Sequence, residues 1–197
     1  MMKYLGAVMA LLVLLPVSPA NAANELGLFF GEYPGVRPPA SVYASVTPFA
    51  PIRAHLVLYG PTMPQLAGWA CSVGLQGTAY LFDVTFYHGG VNAGVFPELS
   101  VQYPSPIATE DGLVLMTLWY LPRDLEANCL ALSGPSGLLP GIDPPLLRIE
   151  GGQDVPASVF TYGDGNVVAQ FNGTGTSCWG VVDAAVTGWG ALKALYR

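Results

Sequence analysis

Charged residues, cysteines and histidines are all scarce in this sequence. Only 10% of the 197 residues are charged, and 7 Lys+Arg stand against 13 Asp+Glu, for a net charge of −6. Such a chain lacks the basic surface that nucleic acids and anionic membranes attract. With 52% hydrophobic residues the chain is too apolar for a disordered protein, although 24 glycines and 18 prolines make it rich in turns. We expect one compact folded domain that does not bind nucleic acid.

The motifs of catalysis and cofactor binding are missing as well. No glycine-rich nucleotide-binding loop and no C-x-x-C pair occurs. The two histidines, His55 and His88, have no ligand type beside them at metal spacing. Most acidic residues stand beside Gly or Pro, where they serve turns and solubility. We therefore predict a non-catalytic protein without a cofactor. A calcium ion near Asp164-Gly165-Asn166 is the one cofactor left open.

The first 22 residues have the three parts of a secretory signal peptide. Lys3 supplies a positive charge, the segment 5–17 is an apolar run of 13 residues, and Ala20-Asn21-Ala22 has the small-x-small cleavage pattern. The run is shorter than the roughly 20 residues of a membrane-spanning helix. We predict cleavage between Ala22 and Ala23, no transmembrane segment in the mature chain, and a secreted protein, periplasmic or extracellular.

Three cysteines remain after this processing: Cys71, Cys129 and Cys178. An exported protein sits in an oxidising compartment, where one disulfide and one leftover thiol is the simplest arrangement. The spacing of the three residues does not by itself say which two are paired.

Short apolar segments separated by turn signals recur every 8–12 residues, with almost no helical periodicity. They predict about ten strands, and this spacing is typical of an antiparallel β-sandwich, either immunoglobulin-like or a jelly roll. The segment 113–121 is apolar on both faces, which predicts a central strand. Gly163-Asp164-Gly165, between strands predicted at 158–162 and 166–171, is a hairpin signal. We expect a single sandwich domain at 23–180 and a short C-terminal tail or helix at 181–197.

From Val42 to Gly134 the order of features resembles a cohesin domain, the β-sandwich of bacterial scaffold proteins. Leu56-Val57-Leu58 is followed by Leu66-Ala67-Gly68-Trp69, like the glycine-aromatic start of a core strand in that family. The segment 110–119 resembles its turn glycine and long core strand. The resemblance implies that the strands carrying Cys71 and Cys129 lie side by side. It therefore favours a Cys71–Cys129 disulfide, with Cys129–Cys178 as the alternative.

The C-terminal segment Thr187–Arg197 is similar to a Trp-Gly-x-x-Lys-x-Leu-Tyr-Arg tail of uncharacterised exported bacterial proteins. It combines two aromatic anchors, Trp189 and Tyr196, with two cations, Lys193 and Arg197. Two interpretations are open: a sorting signal, or a terminal segment whose Trp docks on the sandwich.

Aromatic residues make up 11% of the chain, and most of those in strands are expected to pack in or over the core. Trp119 and Tyr120 are different. Neighbouring residues of a strand point to opposite faces, so both cannot enter one core. We predict that one of them lies under a loop or in an exposed patch, and we take Trp119 and Tyr120 as the candidate binding residues.

The sequence thus predicts an exported, non-catalytic binding or structural module. Its partner is expected to be an extracellular or envelope protein, and a carbohydrate-binding module that takes a polysaccharide is the alternative. A small secreted hydrolase, with carboxylates carried on loops, is the least favoured reading.

Overall fold

The structure, a computed structural model, describes residues 23–33, 41–135, 144–161 and 167–173. All regular elements of these residues are strands, and they form two sheets. The strands are β1 Glu25–Phe30, β2 Tyr43–Ala44, β3 Ile52–Tyr59, β4 Gln65–Gln76, β5 Tyr80–Phe86, β6 Val91–Asn92, β7 Glu98–Ala108, β8 Leu113–Leu121, β9 Asn128–Ser133, β10 Leu146–Arg148, β11 Asp154–Pro156, β12 Ser158–Val159 and β13 Val167–Phe171.

The first sheet has five strands in the order β12-β1-β3-β8-β5. The second has eight strands: its path runs β11-β10-β4-β9-β13-β2, and β7 and β6 extend it on the other side of β4. Most pairs are antiparallel, but β1 pairs with β12 and β13 pairs with β2 in parallel. The predicted all-β sandwich is confirmed, and its sheets are mixed rather than purely antiparallel.

Strands with a clear hydrophobic pattern were predictable to within a residue or two. Strand β8 has the predicted bounds, and it lies between β3 and β5, as a strand buried on both faces should. The short strands β6 and β11 were not predicted. Strand β12 covers two residues of the segment predicted at 158–162.

The predicted hairpin across Gly163-Asp164-Gly165 is wrong. Strand β12, before this turn, pairs with β1 in the five-stranded sheet, whereas β13, after it, pairs with β9 in the other sheet. The connection therefore crosses from one sheet to the other. A turn signal reports a reversal of the chain, and it does not say which strands become hydrogen-bonded neighbours.

Aromatic contacts join the two sheets across the core. Phe171 of β13 meets Phe30 of β1 edge-on at a centroid distance of 5.9 Å. On its other side Phe171 lies 5.7 Å from the ring of Tyr120 in β8. Trp69 of β4 meets Phe86 of β5 at 6.2 Å. These rings are large apolar groups whose burial and offset contacts stabilise the packing of one sheet on the other.

Gly68 lets two strands approach closely just before Trp69. A Cβ atom placed on Gly68 would lie 2.5 Å from the backbone oxygen of Val101 in β7. The β4–β7 register shifts between Leu66 and Gly68. Trp69 is 2% exposed, and its indole N–H donates a hydrogen bond to the Tyr103 hydroxyl at 3.1 Å. The glycine-aromatic pair found in the sequence is thus a packing feature of this core strand.

The predicted Cys71–Cys129 disulfide is wrong, although the two strands that carry these residues do lie side by side. Cys129 is opposite Gln76 in the β4–β9 ladder. That is five positions along β4 from Cys71, or about 17 Å at the rise of a strand. Cys71 belongs to the main core, whereas Cys129 packs with Val167 in a separate cluster. Cys71 is a buried free thiol.

Several sequence-based expectations fall on residues outside those described. They are the signal peptide up to Ala22, the calcium alternative at Asp164-Gly165-Asn166, Cys178, and the tail at 181–197.

Replacing Gly68 with alanine should destabilise the protein by about 1–3 kcal/mol, because the new methyl group overlaps a backbone atom that cannot turn away. Gly74→Ala is the matched control on the same strand. Its Cβ would meet the Ala131 Cβ at 3.5 Å, an ordinary contact, so stability should stay equal or rise by up to about 1 kcal/mol. Denaturant unfolding of both variants measures this difference. Equal stability of the two would contradict the packing role of Gly68.

With Cys71 buried in the core, we expect the disulfide of the oxidised chain to join Cys129 to Cys178. Burial also raises the pKa of the Cys71 thiol, which disfavours its reactive thiolate. Mass spectrometry of non-reduced peptides should find one Cys129–Cys178 linked pair, and Cys71 labelled by a thiol reagent only after unfolding. A linked peptide that contains Cys71 would refute this pairing.

Candidate functional site

The outward face of the five-stranded sheet carries three rows of paired residues along β3 and β8. The pairs are Arg53–Trp119, His55–Thr117 and Val57–Val114. The residues between them on each strand point into the core, because side chains alternate along a strand. The three rows differ in chemistry, and only the first is open to solvent.

The row at Val57 is covered by a second, smaller apolar cluster. Phe29, Val57 and Val114 are its buried members. The ring of Phe29 contacts those of Tyr59 at 5.4 Å and Phe160 at 5.2 Å. This part of the face is therefore already covered by the chain itself.

The middle row is a buried hydrogen-bonded network centred on His55, which is 0% exposed. Its Nε2 lies 3.0 Å from the carbonyl oxygen of Gly31, and its Nδ1 lies 2.8 Å from the Thr117 hydroxyl. A carbonyl only accepts, so Nε2 carries the proton and Nδ1 accepts from Thr117. The Tyr87 hydroxyl, 2.9 Å from Thr117 Oγ1, donates in turn to that oxygen. When the imidazole is neutral, each of these hydrogen bonds has one donor and one acceptor.

Burial lowers the pKa of His55, and the nearby positive charge of Arg53 acts in the same direction. The hydrogen bond to Gly31 and the Glu32 carboxylate oppose the shift without reversing it. His88 lies at the outer end of the same face, with Nε2 3.0 Å from the Val114 carbonyl oxygen. Both histidines thus have backbone partners and stabilise the structure.

The open row is built from Trp119, Arg53 and Glu32. The guanidinium carbon of Arg53 lies 4.5 Å from the centroid of the Trp119 ring, in a cation–π contact. The same guanidinium donates to the Glu32 carboxylate at 2.9 Å. Arg53 is thereby held between an aromatic face and an acid at the surface, which fixes a side chain that is otherwise mobile.

Next to this pair is an open groove with a volume of about 510 Å³. Its size is within the range of ligand pockets. Seven of its nine lining residues are apolar and Arg53 and Glu32 are charged, so that polar and apolar atoms expose similar areas in it. The lining residues are Phe30, Gly31, Glu32, Ala44, Val46, Pro51, Ile52, Arg53 and Trp119.

Part of the groove wall comes from the chain around β2 and is held by Asn172. The Asn172 side-chain oxygen accepts from the Val46 N–H at 2.8 Å. The Asn172 N–H donates to the Ala44 carbonyl oxygen at 2.9 Å. Asn172 takes a left-handed conformation, with φ of 57°, directly after β13 ends. One residue therefore both ends the last strand and positions this wall.

Tyr120 is not available as a binding residue. It is 0% exposed and lies in the core against Phe171. Its hydroxyl has no hydrogen-bond partner among the described residues, and burial raises its pKa. The prediction that only one of Trp119 and Tyr120 enters the core is confirmed. Trp119 is the residue left on the surface, and it stays the candidate binding residue.

Further apolar side chains are exposed near the Trp119 end of the sandwich. Phe49 lies in a loop and is 69% exposed, and its backbone N–H donates a hydrogen bond to the Pro122 carbonyl oxygen. Tyr80 is paired with Leu121 and is 55% exposed. Phe82 lies 6.3 Å from the Trp119 ring and is half exposed. Apolar groups beside an open groove are typical of a surface that meets another molecule.

Sequence reasoning missed Arg53, Glu32 and the groove itself. Arg53 stands at the start of an apolar strand, and a charged residue there indicates a position on the exposed face of the sheet. Glu32 gave no such signal, because its contact depends on how β1 is placed beside β3.

Within the part of the chain that the structure describes, no group of three or more His, Cys, Asp and Glu side chains is placed to hold a metal ion. Those residues also contain no helix with the length and apolarity needed to cross a membrane.

Neither a family model nor a curated protein matches this chain. Several solved structures, however, are similar to it. The second type II cohesin module from the adaptor ScaA scaffoldin of Acetivibrio cellulolyticus matches with a TM-score of 0.50 and 13% identity, over 77% of this chain and 91% of that one. The type II cohesin dyad of the same scaffoldin matches with a TM-score of 0.51 and 13% identity, over 77% of this chain and 50% of the dyad.

A type I cohesin–dockerin complex from Clostridium thermocellum also matches, with a TM-score of 0.48 and 9% identity, over 76% of this chain and 99% of the matched chain. The comparisons establish a cohesin-like β-sandwich, as the sequence resemblance implied. At such low identity they establish the fold alone.

We expect His55 to make stability fall as the pH drops below about 6.5, the value of an unperturbed histidine. Because the pKa of His55 is lowered in the folded protein, the unfolded chain binds the proton more readily as the pH falls and is favoured. Denaturant unfolding between about pH 7.5 and pH 5 measures the loss, with His55→Gln as the comparison. The difference between the two proteins isolates His55, since every other titrating group is common to both. Parallel pH profiles would show that His55 is not held neutral.

Proposed function

We propose that this chain is an exported, non-catalytic module that binds another protein through the groove beside Trp119. The observation that carries the proposal is the Trp119–Arg53 pair at the rim of an open groove. Tryptophan and arginine are the residue types that most often dominate the energy of protein interfaces. Here both are held in place before any partner arrives, which lowers the entropic cost of binding.

The shape and charge of the groove indicate the kind of partner. Its apolar walls suit an inserted hydrophobic side chain, and Arg53 and Glu32 supply one hydrogen-bonding charge of each sign at the rim. Exposed Phe49, Tyr80 and Phe82 extend the apolar area beyond the groove. This combination of an apolar centre and polar rim is the usual arrangement of a protein interface.

The cohesin-like fold is a supporting argument for a protein partner. The type II cohesin modules that share this fold come from an adaptor scaffoldin. A shared sandwich does not carry function by itself, because unrelated activities occur on the same fold. The partner class therefore rests on the groove, and a dockerin is one protein to include among the partners tested.

A polysaccharide is the second candidate, because Phe82 and Trp119 put two aromatic rings near the surface of the same sheet. Sugar rings stack on an open aromatic face. Arg53 already covers one face of Trp119, so the ring offers less stacking area than a free platform. This geometry favours a protein over a sugar.

Export is part of the proposal and rests on the signal-peptide pattern of residues 1–22. The expected surroundings are therefore a periplasm or the outside of the cell, where the partner is an envelope or extracellular protein.

Trp119→Ala should weaken binding of a purified partner by about tenfold or more, the loss typical of an interface hot spot. The partner is first captured from secreted and envelope fractions, with a dockerin-bearing protein tested in parallel, and its affinity is then measured by titration. Tyr120→Phe is the matched control one residue away: it changes only a core hydroxyl, so affinity should not change.

Two results would count against this function. If Trp119→Ala, still folded, binds the partner as tightly as the unaltered chain, the groove is not the site. If the chain is retained on a polysaccharide panel and Trp119→Ala abolishes the retention, the carbohydrate-binding reading replaces the protein-binding one.

A further inference from the structure

The geometry points to an occupant for the groove within the same chain: we propose that the segment Gly188–Arg197 folds back and docks there, with the indole of Trp189 against Trp119 and Val46. This goes beyond the proposed function, because it concerns the isolated chain and needs no partner.

The first argument is where the described chain leaves the sandwich. The last described residue after β13 is Gly173. Its carbonyl oxygen accepts a hydrogen bond from the Tyr43 hydroxyl at 2.6 Å. The residue before it, Asn172, holds Ala44 and Val46, which line the groove. The C-terminal segment therefore starts beside the wall of the groove.

The second argument is chain length. Fourteen residues, 174–187, separate Gly173 from the proposed docking segment, and an extended chain spans about 3.3 Å per residue, or about 46 Å. Asn172, the residue before Gly173, is hydrogen-bonded to the groove wall. The 14 intervening residues are therefore long enough for the segment to reach the groove. A Cys129–Cys178 disulfide would not prevent docking. Cys129 is paired with Gln170, near the same chain exit, and nine residues separate Cys178 from Gly188.

The third argument is complementary composition. Residues 184–197 contain Trp189, Leu192, Leu195 and Tyr196 together with two cations, and no acidic side chain. The remaining residues carry the other five cations and all 13 acids. The apolar side chains match the lining of the groove, and Lys193 can meet the Glu32 carboxylate, whose side chain is 86% exposed. Tethering favours such contacts further, because a linked segment has a high effective concentration.

Another exposed apolar set, Val91, Val95 and Phe96, lies around β6 and the start of β7. In the eight-stranded sheet this is the side of β4 away from β9, whereas β2 and the chain exit lie at the far end of the opposite side. It is thus the more distant surface from Gly173 and supplies a control position.

The test is the rate of tryptic cleavage after Lys193 in the full chain, recovered after any processing of residues 1–22. Loss of residues 194–197 is followed by intact mass. The free peptide 187–197 gives the rate of an undocked segment. Docking predicts cleavage of the full chain at least about tenfold slower than of the peptide, since cleavage follows the population of the open form.

Trp189→Ala should restore rapid cleavage, and because it lies in the segment itself it leaves the sandwich intact. Val46→Glu, in the half-buried groove wall, should do the same, with circular dichroism to confirm folding. Val95→Glu, at an 83% exposed position on the distant surface, should cleave as slowly as the unaltered chain.

Cleavage of the unaltered chain at the peptide's rate would overturn the proposal. Slow cleavage that persists in Trp189→Ala would also overturn it. So would rapid cleavage of Val95→Glu, because protection would then not depend on the groove. These outcomes are separate from the proposed function. A partner can bind the groove of a chain whose segment is undocked, and a docked segment can be found before any partner is known.

Discussion

Strand β8 is covered on both faces over most of its length, and the arrangement of the described sandwich depends on this. One face places Leu118 and Tyr120 in the core, where Tyr120 meets Phe171 from the opposite sheet. The other face places Thr117 and Trp119 outward, where the chain covers the first with a polar network and leaves the second at a groove. The alternation of a single strand thus separates what stabilises the fold from what remains available for binding.

The sequence was informative where the controlling interaction is local. The apolar segment 113–121 predicted the bounds of β8, and the alternation of side chains along a strand predicted that Trp119 and Tyr120 would face opposite ways. The class of fold followed from the rhythm of short strands. The short strands β6 and β11 have no pattern of their own, since two or three residues are too few to show alternation, and their pairing with β7 and β10 defines them.

The wrong predictions share one physical cause: they needed the register of strands that are distant in sequence. Strands β4 and β9 are neighbours, yet a shift of five residues and a change of face separate Cys71 from Cys129. The turn signal at 163–165 lies between β12 and β13, and these two strands belong to different sheets. The groove was missed for the same reason, because its walls come from β1, β3, β8 and the chain near β2. Local patterns report the face of a side chain, and tertiary packing decides its neighbours.

The groove and the end of the last strand are one structural unit, and this has a consequence for any ligand. Asn172 ends β13 in a left-handed conformation and, with the same backbone and side-chain groups, fixes Ala44 and Val46. Elsewhere in the lining, Arg53 contacts Trp119 and Glu32. Both sets of lining residues therefore have partners within the chain, which reduces the ordering that a ligand must impose. The described chain ends at Gly173, directly after Asn172, and the Gly173 carbonyl oxygen accepts a hydrogen bond from Tyr43 beside the groove wall. The end of the last strand and the shape of the groove therefore depend on the same few hydrogen bonds, and a change at Asn172 alters both.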